Sequence, residues 1–403
     1  MLTALKEDGR LICLADFPLN APFKALREKE TFYCPNCKEK LVLKIGTKKI
    51  THFAHKSGSS CCEQYENETA YHLSGKQKLY LWLKMQGLEP ELEYFDRDIR
   101  QRPDIRFTFE NRRYVIEYQC SVIPDEVFMN RTKNYLEHQY TPIWILGGEF
   151  FSRKSSRLVN LSDFQFLCIR SPNNHSNLFY YCPHSNQFIL MQKIYPISTR
   201  KAMASFTVRP LQSLILLDLI NPHSIQSPSI DTWHREISRF KQNYSLTPKN
   251  YHDPFLKELY YRHLHLSYLP PEVGLPLANS LFIRTPPAIW QGYLYLDCFL
   301  RRKPGELISY AFIEQAFNRR VWKKQISIRK LPLIVGDGLN AVREYLCVLK
   351  DCGYLTEMNP TTFLVNRRLE VATNMMEQTQ REQSFFQQNK STLHFLHSDN
   401  DFP

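Results

Sequence analysis

The sequence predicts an α/β core of order αβββαβ, preceded by a small zinc-binding element and followed by a mainly α-helical C-terminal domain. Three patterns carry this. Residues 103–119 alternate apolar and polar side chains on both sides of a tight turn, as a half-buried hairpin does. Residues 66–87 repeat apolar residues at helical spacing, and so do several segments beyond Asp231. Finally, Cys34-Pro-Asn-Cys37 and His52-Phe-Ala-His55 have the spacing of a metal clip.

The clip defines a first element over residues 1–64. Pro35 and Asn36 turn the chain so that both sulfurs can face one ion, and LVLKIGTKKIT returns it as a hairpin to the histidines. Zn²⁺ suits thiolate and imidazole together, and a segment this short has little core of its own, so the metal would be structural. Cys34, Cys37 and His55 are the expected ligands. The fourth is either His52 or one of Cys61 and Cys62.

The core follows over residues 65–150. Leu73, Tyr80 and Leu83 form the apolar stripe of an amphipathic helix, while Glu68, His72 and Lys76 share its polar side. LEPELEYF reads as a strand, the hairpin comes next, a helix over Asp125–Glu137 sets Arg131 and Tyr135 one turn apart, and TPIWILGG reads as a buried strand. In the hairpin, Asp104, Glu117 and Gln119 share a face. A turn centred on Asn111 and Arg112 would set Asp104 opposite Gln119 and diagonal to Glu117. Two carboxylates in reach of one cation suit Mg²⁺ or Mn²⁺, hard ions that keep waters and take phosphate oxygens as further ligands.

This order, with the Asp opening the second strand and Glu-x-Gln in the third, resembles the PD-(D/E)XK nuclease superfamily. The ordered set CPNC, HFAH, E-x-x-x-H-x-x-x-K, RPDI, IEYQCS and R-x-x-x-Y resembles more closely the competence protein CoiA family of Gram-positive bacteria. That resemblance implies action on incoming single-stranded DNA in natural transformation, with recombination or DNA-uptake proteins as partners. It implies Asp104 and Glu117 as magnesium ligands, Gln119 orienting the attacking water, Glu68 completing a second metal shell or acting as a base, and His72, Lys76, Arg131 and Tyr135 on the substrate. One departure stands out: Gln119 occupies the usual Lys position, and an amide cannot supply the missing charge. A noncatalytic DNA-binding or recombination-accessory protein that keeps the nuclease fold is therefore the alternative. A zinc-stapled interaction scaffold is a third reading.

Composition agrees with a polyanionic partner. Over 403 residues, 52 Lys and Arg against 40 Asp and Glu give a net charge of +12, spread along the chain as nonspecific phosphate attraction would need. The 11 cysteines are odd in number and scattered, which points to a reducing, cytoplasmic compartment rather than a disulfide framework. No apolar run reaches the length of a membrane span. Phosphate-loop, dinucleotide and serine-esterase motifs are missing from the sequence.

Residues 151–230 read as a peripheral extension and linker, and residues 231–369 as the helical domain, ending in a helix, a turn at Gly353 and two strands like the end of a winged helix. Its basic segment, Arg319, Arg320, Lys323, Lys324, Arg329 and Lys330, reads equally as a DNA contact or a solvated face. The Gln- and Asn-rich residues 370–403 read as a frayed helix and disordered tail.

Overall fold

Alternating burial builds the N-terminal element of the computed structural model, which describes residues 1–18, 21–46, 50–56, 68–172 and 175–395. Strands β1 (Thr3–Lys6), β2 (Leu11–Cys13), β3 (Phe32–Tyr33), β4 (Lys40–Lys44) and β5 (His52–His55) form a sheet of order β2-β1-β3-β4-β5, with helix α1 (Phe23–Lys29) between β2 and β3. Its core is small: Ala4, Ile12, Leu14, Phe32, Cys34, Leu41, Leu43 and Phe53. The chain divides into two compact units, and this sheet belongs to the first, with residues 68–151, 178–190 and 207–223.

Helix α2 (Ala70–Met85) starts at Thr69, whose side chain accepts from the His72 amide, so Glu68 lies just outside the helix rather than on its stripe. After it come β6 (Glu91–Leu92), β7 (Ile105–Phe109), β8 (Arg112–Gln119), α3 (Asp125–Glu137) and β9 (Tyr140–Gly147). LEPELEYF supplies only the two residues of β6 as strand. β7 and β8 are antiparallel, and β8 and β9 are parallel. The hairpin turn falls one residue earlier than expected. Glu110 and Asn111 take φ values of 47° and 59°, the pair of left-handed residues that a two-residue hairpin turn needs. Ile105 therefore pairs with Ile116, and continuing that register sets Glu117, not Gln119, across from Asp104, which lies just before the strand.

β8 is buried on both faces along its last six residues. Ile116 and Tyr118 meet Leu73, Leu79 and Leu83 of α2 in one cluster, while Phe128 of α3 packs its ring 4.3 Å from that of Trp144. The strand Asn177–Cys182 then pairs in parallel with β9, Phe179 opposite Ile145 and Tyr181 opposite Gly147. All but Cys182 are buried, and the sheet continues beyond this strand, so the stretch is an interior strand instead of lying at the periphery. Apolar runs flanked by polar loops hide that difference in sequence.

The second unit is built around a cluster of helices that includes Ile230–Leu246, Pro287–Leu294, Tyr310–Trp322 and Gly338–Asp351. A small sheet, in order Leu307–Ser309, Thr362–Val365, Leu355–Asn359, closes its end. The Gln-rich segment corrects the sequence reading: Met375–Gln388 and Lys390–Phe395 are helical, and Phe385, Phe386 and Leu393 are buried. Its buried stripe is partly polar, since Gln378 and Glu382 are also buried and Glu382 accepts from Ser238 at 2.7 Å and lies 3.1 Å from His234 Nε2. Hydropathy alone misses such a stripe. Residues 396–403 lie outside the described residues.

One glycine is a packing requirement. A Cβ on Gly75 of α2 would fall 2.0 Å from the buried Tyr118 ring, whose hydroxyl is fixed on the Tyr181 carbonyl at 3.0 Å. Gly75→Ala gains about 1 kcal/mol of helix propensity but forces overpacking that costs about 1–3 kcal/mol. The variant should denature at lower urea concentration than the parent; an equal or higher midpoint would show that the ring yields freely.

Candidate functional site

Residues from three places meet at the start of β7. Asp104 Oδ2 accepts from the Tyr118 amide at 2.9 Å and lies 3.4 Å from His72 Nε2. Its Oδ1 lies 3.4 Å from Lys76 Nζ. Glu68 and Glu93 both bind the Lys76 ammonium directly, and Glu68 Oε2 also accepts from the Met1 ammonium at 2.6 Å. Lys76 has no exposed surface. It was expected on phosphate, but three carboxylates enclose it, so its charge is used within the cluster.

Glu93 is the residue sequence reasoning missed. In LEPELEYF it looks like a solvated strand carboxylate, as Glu91 is. The ladder places it elsewhere: Leu92 pairs with Ile105, and the Glu93 amide donates to the Asp104 carbonyl at 2.8 Å. Its Oε2 accepts from the amides of Leu2 and Thr3 at 2.7 and 3.1 Å and from the Thr3 hydroxyl at 3.2 Å. The only sequence signal was its register with Asp104.

Burial opposes the charges of Glu68, Glu93 and Asp104, yet the Lys76 ammonium overcomes it and holds all three carboxyls below their ordinary range, Glu93 at about 2. The same carboxylates hold the Lys76 ammonium charged despite its burial. Glu117 differs. Burial, reinforced by the Asp104 charge, outweighs the pull of Arg131 and pushes its carboxyl up to about 7.

Arg131 donates to Glu117 Oε1 at 2.6 Å, and the buried Tyr135 hydroxyl donates to the same oxygen. Tyr135, expected on the substrate, thus supports Glu117 and has no exposed surface. The Gln119 amide nitrogen donates to the Ser121 carbonyl at 2.9 Å and lies 3.3 Å from its hydroxyl. Asp104, Glu117, Glu68, His72 and Gln119 all line one cleft of about 670 Å³, with Arg100, Arg102 and Arg131 also on its walls. Within it, ligand atoms of Glu68, His72 and Asp104 lie within 4.8 Å of one another, a spacing that fits a single ion. Glu117 is not part of that group, because it reaches the cleft from the α3 side of β8.

A second group forms in the N-terminal element. The Lys38 amide donates to the Cys34 carbonyl at 3.0 Å, and Lys38 takes a φ of 62°, which folds the knuckle. Cys34, Cys37 and His55 then bring ligand atoms within 4.8 Å of one another, as a tetrahedral zinc site requires. Burial lowers the His55 pKa and favours the neutral ring that a metal binds. His52 stands three residues away on β5, where side chains alternate, with Nδ1 at 2.9 Å from the Ile50 carbonyl, and is outside this group. Cys61 and Cys62 lie outside the described residues. No helix among the described residues is long and apolar enough to cross a membrane.

Comparisons agree along the length of the chain. Residues 19–64, 68–224 and 229–379 match the families described as Competence protein CoiA N-terminal domain, nuclease-like domain and C-terminal domain. The Competence protein CoiA of Bacillus subtilis (strain 168) is 31% identical over 367 residues, covering 89% of this chain and 96% of that protein. No solved structure matches.

A raised carboxyl pKa has a consequence for stability. Glu117 holds its proton in the folded state up to about 7, against 4.5 ordinarily. Its contribution is therefore fully present below the ordinary value and is lost as pH rises through the folded one. Glu117→Gln should flatten the fall in denaturation midpoint between pH values of about 5 and 8. Parallel pH profiles for variant and parent would contradict the assignment.

Proposed function

The chain belongs to the competence protein CoiA family, and on that premise we propose that its nuclease-like domain is a divalent-cation-dependent nuclease acting on single-stranded DNA during natural transformation. The observation that carries this is the meeting of Glu68, His72 and Asp104 in a cleft walled by three arginines.

Asp104, with Glu68 and His72, would hold Mg²⁺ or Mn²⁺, and Glu117, once ionised, offers a further carboxylate from β8. When bound, such an ion polarises the phosphodiester and makes a coordinated water more acidic. The chain's own groups do the rest. Lys76 keeps Glu68 and Asp104 ionised without touching substrate. Arg131 spends one edge of its guanidinium on Glu117 and, about a third exposed, keeps the other toward the cleft. Arg100 and Arg102 add positive charge where a phosphate backbone would lie. These arginines stand in for the charge that Gln119 lacks. In the N-terminal element, Cys34, Cys37 and His55 would hold a structural zinc ion, with Cys61 or Cys62 as the fourth ligand.

The noncatalytic reading keeps one specific support, the absence of a lysine at Gln119, whose amide nitrogen is turned to Ser121. A labelled single-stranded oligonucleotide separates the two. Under the nuclease reading the parent cuts it with Mg²⁺ or Mn²⁺ and stops with chelator, Asp104→Asn loses at least about a hundredfold in rate, and Gln119→Lys cuts at least as fast as the parent. Salt-dependent binding without cleavage, or undiminished cleavage by Asp104→Asn, would overturn it. For the N-terminal element, Cys34→Ser should lose bound zinc by elemental analysis and melt at lower temperature; a parent protein purified without zinc would refute the clip.

A further inference from the structure

We propose that Glu93 is a positioning residue through which the N-terminal sheet sets the metal-binding cluster of the nuclease-like domain. The inference rests on the metal site proposed at Glu68, His72 and Asp104, and it adds a residue that touches neither metal nor substrate.

The geometry is a relay. Glu93 is 1% exposed, and its Oε2 is fixed by three donors at the start of β1: the amides of Leu2 and Thr3 and the Thr3 hydroxyl. Its Oε1 binds Lys76 Nζ, and that ammonium in turn binds Glu68 and lies 3.4 Å from Asp104 Oδ1. Glu68 and Asp104 are the two carboxylates that would accept a cation, and the Lys76 ammonium lies against both. Glu68 stands outside α2, where the Lys76 and Met1 ammonium groups hold it, and Asp104 precedes β7, with one oxygen on the Tyr118 amide and the other turned to Lys76. Glu93 is the member of the set that two amides and a hydroxyl of the N-terminal sheet anchor. It directs Lys76 toward its partners, and a cation drawing on Glu68 and Asp104 leaves the Lys76 charge a carboxylate to rest on. Outer-shell groups of this kind orient ligands and tune metal affinity.

The test is Mn²⁺ binding to the full chain, followed by electron paramagnetic resonance without DNA, so that turnover plays no part. Glu93→Gln should weaken Mn²⁺ binding about tenfold with zinc content and circular dichroism unchanged. Thr3→Val, which removes one of the three anchoring bonds and leaves every charge in place, should weaken it about threefold, and Thr3→Ser, which keeps the hydroxyl, should match the parent. Should Glu93→Gln fail to fold, the two Thr3 variants decide. Parental affinity in Glu93→Gln or, failing that, in Thr3→Val, with Asp104→Asn impaired, overturns the role of Glu93 and leaves the site standing. Parental affinity in Asp104→Asn overturns the site itself, and this inference with it.

Discussion

A lysine with no exposed surface is the constraint on which the site is built. Removing an ammonium from water costs several kcal/mol after relaxation, and only close, well-hydrogen-bonded partners offset it. Here the partners are Glu68, Glu93 and Asp104, which come from the segment before α2, the end of β6 and the start of β7. None is close to another in sequence, so Lys76 is stable only when all three segments arrive together. The N-terminal sheet enters the same condition, because β1 satisfies the second oxygen of Glu93. Pairing of this kind contributes less to total stability than apolar packing of equal volume would. Its effect is positional, fixing where the acidic side chains stand.

The strand pleat then separates two electrostatic environments a few ångströms apart. Along β8, Tyr118 faces α2 and Glu117 faces α3, while Asp104, which precedes β7, turns its carboxylate to α2, so the two meet different sets of partners. On the Lys76 side the carboxyls are held ionised. On the Arg131 side burial prevails and Glu117 titrates near neutrality. A single cleft thus joins groups with well-separated pKa values, a common signature of functional sites.

Sequence pattern located these elements better than it located their register. Helices α2 and α3 and the β7–β8 hairpin follow from periodicity, since a 3.6-residue or two-residue repeat survives in the chain text. The turn did not, because no Asn-Gly or Asp-Gly pair marks it and Glu110 is an unfavoured left-handed residue. A shift of one residue there moved the register position across from Asp104 from Gln119 to Glu117, and the separate β6–β7 ladder brings Glu93 alongside. Lys76 was legible as a polar residue of α2, but its burial depended on carboxylates distant in sequence. The helix Met375–Gln388 was hidden for a related reason, since part of what it buries is hydrogen-bonded Gln378 and Glu382.

The basic segment of the second unit shows how the same limit bears on function. Of its six cations, Arg320 is buried against Asp297 and Glu258, and Arg329 is buried, donating to the carbonyls of Ile283 and Thr199 with its guanidinium 3.8 Å over the Phe166 ring. Arg319 also leans on Asp297, at 3.3 Å. Lys323, Lys324 and Lys330 are exposed. The neighbouring helix Gly338–Asp351 turns most of its residues inward, Lys350 pairs with Glu357 at 3.0 Å, and the closing hairpin 355–365 carries no lysine or arginine. Two of the six charges are therefore structural, and the other four are exposed. Phosphate attraction scales with the cations free to replace counterions, so what this segment could offer rests on Arg319, Lys323, Lys324 and Lys330 and not on the two buried arginines that its sequence adds to them.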